Sequence, residues 1–198
     1  MKELIVATKN NGKVKEFREM FKKYGIELKS LHDLTDWSGD IVESGTTFEE
    51  NALIKAEEIS KAYDVPVLAD DSGLEVDALQ GRPGVYSARY AGEEKNDQKN
   101  LEKVLRELEE TGDSERTARF VCCIAIIQPG KQAIIKRGTC EGKISKTPEG
   151  SHGFGYDPIF VPDGYDQTMA QLTADEKNAI SHRRNAIDKV EEWLKELV

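Results

Sequence analysis

Asp70 and Asp71 stand side by side in Ala69-Asp70-Asp71-Ser72-Gly73, directly after the apolar run Val67-Leu68. Adjacent carboxylates repel, which raises one pKa unless a cation compensates. Hard oxygen donors of this kind suit Mg²⁺, which keeps several waters and takes only one or two protein carboxylates. The competing reading is a turn whose aspartates cap local backbone. Far upstream, Thr8-Lys9-Asn10-Asn11-Gly12-Lys13 leads from a short strand into a helix. There the amides and the helix dipole face one point, a place for an anion. Lys13 works against that dipole unless an anion satisfies both. A strand–helix turn with a solvated lysine also accounts for this segment, and it is not a P-loop, because Val14 follows Lys13.

Three further stretches carry usable side chains. Asn51 and Lys55 are four residues apart and share a helix face. Glu43 precedes that helix and could reach a metal, with Lys55 on a phosphate, although each alone reads as a surface residue. Gly153-Phe154-Gly155-Tyr156-Asp157-Pro158 places two aromatics among glycines. Glycine lets backbone approach a flat ligand, and Phe or Tyr can stack on a base. A tight turn with one ring in the core fits the same residues. Lys177, Ser181, His182, Arg183 and Arg184 offer donors for a carbonyl or phosphate oxygen, or alternatively a basic surface turn.

The elements that must position these groups follow from periodicity. Leu4 to Ala7 reads as a strand, followed by a helix with Val14, Phe17 and Phe21 on one stripe. A capping box at Thr46/Glu49 or Thr47/Glu50 opens a second helix. Val65 to Ala69 is the next strand, expected to stop at Asp70. Asn96 opens a helix that closes near Gly112. Thr117–Ile127 and Gln132–Ile144 read as strands joined at Pro129-Gly130. One long helix is expected from after Thr173 to Leu197. Strand–helix alternation around a strand pair indicates an α/β fold with a mixed sheet, and no linker divides residues 1–198.

Composition narrows the function classes. A net charge of −9 opposes non-specific nucleic-acid binding, which needs a broad basic footprint. No apolar stretch approaches a membrane span, and the run at Met1–Ala7 is too short for a signal sequence. Cys122, Cys123 and Cys140 lack metal or redox spacing and fit buried thiols in a reducing cytoplasm.

Set and order of the motifs resemble the inosine triphosphate pyrophosphatase family over nearly the whole chain. The resemblance runs through Ala7 to Lys13, Glu43 to Phe48, Asn51 to Ala56, Ala69 to Leu74, Pro83 to Tyr90, Gly153 to Pro158 and Ser181-His182-Arg183. The Ala-Asp-Asp-Ser-Gly-Leu and Ser-Ala-Arg-Tyr strings are its most specific parts, and Lys9 stands where many members carry glycine. The resemblance implies a mixed central sheet flanked by helices, with two lobes around an active-site cleft, in a homodimer. It further implies that Thr8, Asn10, Asn11, Gly12, Lys13 and Lys55 hold a triphosphate and that Ser72 contacts phosphate. Glu43 and Asp71 would coordinate Mg²⁺, Asp71 would activate water, and Phe154, Gly155, Tyr156, Asp157, Lys177, His182 and Arg183 would enclose a purine. The expected reaction turns ITP, dITP or XTP into monophosphate and pyrophosphate.

Overall fold

The computed structural model describes residues 3–197; Met1, Lys2 and Val198, the ends of the sequence-based domain and leader readings, lie outside the described residues. β1 (Glu3–Val6) is almost entirely buried, and Asn10 then caps α1 (Asn11–Lys22) by accepting the Lys13 N–H at 3.0 Å. β2 (Glu27–Ser30) follows, and α2 (Phe48–Tyr63) opens with a reciprocal Thr47–Glu50 capping box, the second of the two registers read above. β3 (Val67–Val76) leads to a 3₁₀ segment at Gly84–Arg89 and to α3 (Asp97–Thr111), capped by Asn96 and closed by Gly112 in the left-handed region. β4 (Thr117–Ile127), β5 (Ile134–Ile144) and the short β6 (Phe160–Pro162) complete the strands.

The strands form one six-stranded sheet in the order β2-β1-β3-β4-β5-β6. β1 pairs parallel with β2 (Leu4 opposite Leu28) and with β3 (Ile5 opposite Val67), whereas β5 and β6 are antiparallel (Lys143 opposite Val161). The sheet is therefore mixed, as the alternation of elements predicts. Among the described residues no helix is long and apolar enough to cross a membrane.

Two compact units divide the chain: Met1–Asp71 with Cys122–Gly138 and Arg184–Val198, and Ser72–Val121 with Thr139–Arg183. The first is held by Leu4, Val6, Phe17, Phe21 and Leu68 packed with Cys122, Ile124 and the terminal residues Ile187 and Leu194. In the second, Leu74, Leu101, Val104 and Leu108 pack with Phe120, Ile159 and Phe160. Burying this apolar surface is the main stabilising term. All three cysteines are buried thiols outside any disulfide, with Cys122 in the first core and Cys140 in the second.

Two expectations about elements are corrected. β3 does not stop at Asp70 but continues through Asp70-Asp71-Ser72-Gly73 to Val76. Its parallel partner β1 ends opposite Leu68, so the aspartates still lie just past the end of that ladder. Burial of both carboxylates is tolerated there because lysines reach them, as described below. The terminal helix is three: α4 (Ala174–Ile180), α5 (His182–Asp188) and α6 (Glu191–Leu197). Ser181, buried and extended (φ −66°, ψ 156°), ends α4 with its N–H on the Lys177 carbonyl. The apolar spacing runs across this break without a Gly or Pro to mark it.

Candidate active site

In the first unit, α1, α2 and the start of β3 collect opposite charges. Lys13, in the first turn of α1, places Nζ 2.9 Å from Asp70 Oδ2, and Asp70 is fully buried. Lys55, on α2, sits with Nζ 3.1 Å from Glu43 Oε2 and 3.9 Å from Asp71 Oδ1. Burial alone lowers the Lys55 pKa, but Asp71, Glu43 and Asp70 outweigh it and the net shift is upward, so Lys55 stays charged. Asp71 moves the other way for a carboxylate. Burial, the largest influence, raises its pKa, Lys55 and Lys13 pull it down, Glu43 and Asp70 add to the rise, and the net shift is upward. Asp71 Oδ2 is buried with no hydrogen-bond partner among the described residues. With all five groups ionised, Glu43, Asp70 and Asp71 exceed Lys13 and Lys55 by one negative charge.

The neighbouring loop is shaped by its own hydrogen bonds. Thr8, buried, accepts the Asn10 N–H at 3.1 Å, while Asn10 spends its carbonyl oxygen on the cap of α1. Asn11 and Gly12 form the first turn of α1, where helical N–H groups lack intrahelical acceptors. Lys9 donates to Gly39 O and Asp40 Oδ1, at 3.0 and 2.7 Å, and so ties this loop to the segment preceding Glu43. Asn51, on the same helix face as Lys55, is buried and accepts the Gly45 N–H at 2.8 Å.

In the second unit, an aromatic loop and the end of α4 form another group. Asp157, buried, accepts Lys177 Nζ at 2.5 Å and the Phe154 N–H at 3.1 Å through the same oxygen. Lys177 Nζ lies 4.7 Å and the Arg183 guanidinium carbon 6.0 Å from the centre of the half-buried Phe154 ring. Arg183 is only 1% exposed and donates to Ser72 Oγ at 3.0 Å. His182 stacks on Phe120 with ring centres 4.9 Å apart. Tyr156 is a core residue whose hydroxyl donates to the Ser87 carbonyl at 2.6 Å, so Phe154 is the ring that meets the cations.

The predicted residues are thus gathered in two groups, each inside one unit. Thr8 to Lys13, Glu43, Lys55 and Asp71 belong to the first. Ser72, Phe154 to Asp157, Lys177, His182 and Arg183 belong to the second. Sequence reasoning missed Ser87, which accepts the Leu74 N–H and donates to Gly84 O, and Asp97, which accepts the Gly155 N–H. Ser87 lies in the Ser-Ala-Arg-Tyr string that carries the resemblance but was given no role, and the position of Asp97 in the first turn after an N-cap hinted only at the helix dipole.

Cations set beside buried carboxylates, next to a helix start on an α/β sheet, define a protein that handles anionic, phosphate-like ligands. The chain belongs to the Ham1 family, whose model matches residues 4–193. This agrees with the resemblance read from the motifs. The dITP/XTP pyrophosphatase of Oceanobacillus iheyensis is 59% identical over 194 residues, covering 98% of each chain. Among solved structures, the Staphylococcus aureus Ham1 protein is 45% identical with a TM-score of 0.86 over 98% of each chain. A HAM1 protein from Coxiella burnetii is 41% identical with a TM-score of 0.88, over 99% of this chain and 100% of that one.

Proposed function

We propose that the chain is a pyrophosphatase for non-standard purine nucleoside triphosphates, converting ITP, dITP and XTP to the monophosphate and pyrophosphate. The observation that carries this is the buried, unbonded Asp71 Oδ2 beside Lys55 and Glu43. A carboxylate so placed lacks a partner that a cation or a water can supply.

The donor set fits a divalent cation of the hard type. Among the described residues no group of three or more His, Cys, Asp or Glu side chains forms a cage. Mg²⁺ does not need one, since it takes one or two carboxylates and leaves other positions to water and phosphate. Glu43 and Asp71 would hold it, and when bound it neutralises phosphate charge. Lys13 and Lys55 add fixed positive charge toward the triphosphate, with the first-turn amides at Asn11 and Gly12 and the side chains of Thr8 and Asn10. Ser72 adds a hydroxyl to a phosphate oxygen.

Asp71 accepts a proton from the attacking water; its upward-shifted pKa makes it a better base than an exposed carboxylate. The water oxygen bonds to the α-phosphorus as the bond from that phosphorus to the bridging oxygen breaks, and pyrophosphate leaves with the electron pair. Phe154 stacks on the purine, with Gly155 and the Tyr156 backbone shaping the loop and Asp157 holding Lys177. Arg183 and His182 donate to the 6-keto oxygen. Adenine carries an amino group there and leaves buried donors unpaired, which is a strong basis for rejection. A homodimer in the cytoplasm, without nucleic-acid or membrane partners, completes the reading; the charge of −9 bears on the nucleic-acid part, since it opposes a broad basic footprint.

Pyrophosphate and nucleoside monophosphate quantified together with Mg²⁺, across ITP, dITP, XTP, ATP, GTP, CTP, UTP and dTTP, test the proposal. Equal release of both products from the first three is the expected result. Preference for pyrimidines would replace the substrate class. Tight binding without product would replace the enzyme with a sensor.

A further inference from the structure

The loop that carries Phe154 has little rigidity of its own. Gly153 and Gly155 flank the ring, both at positive φ (74° and 61°), and the Gly155 position has open space where a Cβ would stand. Two glycines leave many backbone states accessible, so a single ring orientation requires tethers from outside. Two consecutive N–H groups are held, one from within the loop and one from outside it. Phe154 N–H is accepted by Asp157, inside the loop, and Gly155 N–H by Asp97 Oδ2 at 2.9 Å, from a residue 58 positions away.

Asp97 is well placed to act as an anchor. It is the first residue of α3, whose Leu101, Val104 and Leu108 are buried in the core of the same unit. The N-terminal turn is itself fixed, because Asn96 accepts the Lys99 N–H at 2.9 Å. One turn on, buried Asn100 donates to Ala88 O at 3.0 Å and accepts the Ala91 N–H at 2.7 Å. The same stretch, through the Ser87 carbonyl, receives the Tyr156 hydroxyl. α3 therefore holds the aromatic loop directly through Asp97 and again through the segment before the helix.

We propose that Asp97 is a positioning residue for purine recognition: its exposed carboxylate, on the first residue of α3, takes the Gly155 N–H and so sets the place of the Phe154 ring. This rests on the reading of Phe154 as the purine-stacking side chain. Asp97 touches no substrate and takes no part in the chemistry. Its contribution is to reduce the number of loop states that substrate binding must order, which appears in KM and not in the chemical step.

The test compares Asp97→Ala, Asp97→Asn and Asn96→Ala with the unmodified enzyme, using dITP and Mg²⁺. Asp97→Ala should raise KM about tenfold, the scale of one charge-assisted hydrogen bond, with kcat within about twofold. Asp97→Asn keeps an acceptor oxygen and should restore most of KM. Asn96→Ala removes the cap of α3 but leaves Asp97 its contact with Gly155, so it should lower Tm while raising KM far less than Asp97→Ala does. An equal rise in KM from Asn96→Ala would assign the effect to fraying of α3 and overturn the proposal. Hydrogen exchange over residues 153–156 provides a readout that needs no turnover. Faster exchange there in Asp97→Ala is expected, and unchanged exchange overturns the proposal whether or not the enzyme acts on dITP. Failure of the unmodified enzyme to release pyrophosphate from any triphosphate would instead remove the functional reading.

Discussion

Lys13 Nζ and Asp70 Oδ2 form an ion pair at 2.9 Å in which the carboxylate is fully buried and the lysine side chain is 13% exposed. It joins the first turn of α1 to the middle of β3, so a residue read from the sequence as a phosphate contact also holds the fold. Desolvation makes such a pair a weak net stabiliser, yet removal of one partner leaves a buried charge poorly compensated.

Lys13→Met should therefore lower unfolding free energy by about 3 kcal/mol, the usual cost of breaking a buried pair from one side. Combining it with Asp70→Asn should recover much of that loss, while hydrolysis should stay impaired in both, since each lacks the cation proposed to face the triphosphate. Urea unfolding of the two single variants and the double variant measures the coupling. Strictly additive losses would mean that the pair does not exist in solution.

Asp71→Asn separates chemistry from stability. Burial is the largest influence on Asp71 and its net pKa shift is upward, so its ionised form is disfavoured by folding. The neutral amide should leave Tm equal or higher. Loss of a general base costs on the order of a hundred- to ten-thousand-fold in rate, and pyrophosphate release should fall by that much. Full activity in this variant would end the assignment of Asp71 as the base.

Much of this arrangement was legible in the sequence, because the caps and the motifs are local. Thr47 and Asn96 cap the helices they precede, whereas sequence reasoning missed the cap at Asn10, and the Asp-Asp-Ser and Gly-Phe-Gly-Tyr-Asp strings mark both groups of candidate residues. What escaped depends on distant contacts. The turn expected at Asp70 is a continuing strand because Lys13 and Lys55, from two helices, balance acids that would otherwise end it. Tyr156 and Phe154 are equivalent by composition, and it is packing in the second core, with the Ser87 carbonyl as acceptor for its hydroxyl, that distinguishes Tyr156. The break at Ser181 is invisible for the opposite reason, since the apolar period on either side is uninterrupted.

Gly153→Ala tests the loop directly. A Cβ at Gly153 would lie 2.0 Å from Asp157 Oδ2, the oxygen that holds both Lys177 and the Phe154 N–H, and φ there is +74°. Strain and displacement together should cost about 1–3 kcal/mol and raise KM for dITP. Gly155→Ala has the same kind of φ (+61°) but open space at Cβ, so backbone strain alone, about 1–2 kcal/mol, should remain. Equal effects on KM from the two substitutions would show that the Asp157 contact is not what matters.

The last prediction concerns alkaline stability. Burial, then the hydrogen bond to the Glu107 carboxylate, pushes the Tyr90 hydroxyl from 10.0 up to about 12, with Arg82 opposing the shift. The folded state thus holds this proton more tightly than the unfolded chain. By linkage, the corresponding stability is fully present below pH 10 and is lost as pH rises through the folded value near 12. Tyr90 is only half-buried, so solvent screening reduces the effect to about 1 kcal/mol, well below what two pKa units would give. Tyr90→Phe should remove this part of the pH dependence. The informative quantity is the difference between the urea midpoints of the two proteins, at about pH 9 and about pH 11.5, because contributions common to both cancel. The gap between the unmodified protein and Tyr90→Phe should narrow as pH rises. A gap that is constant across that range would mean that the Tyr90 proton is not held by the fold.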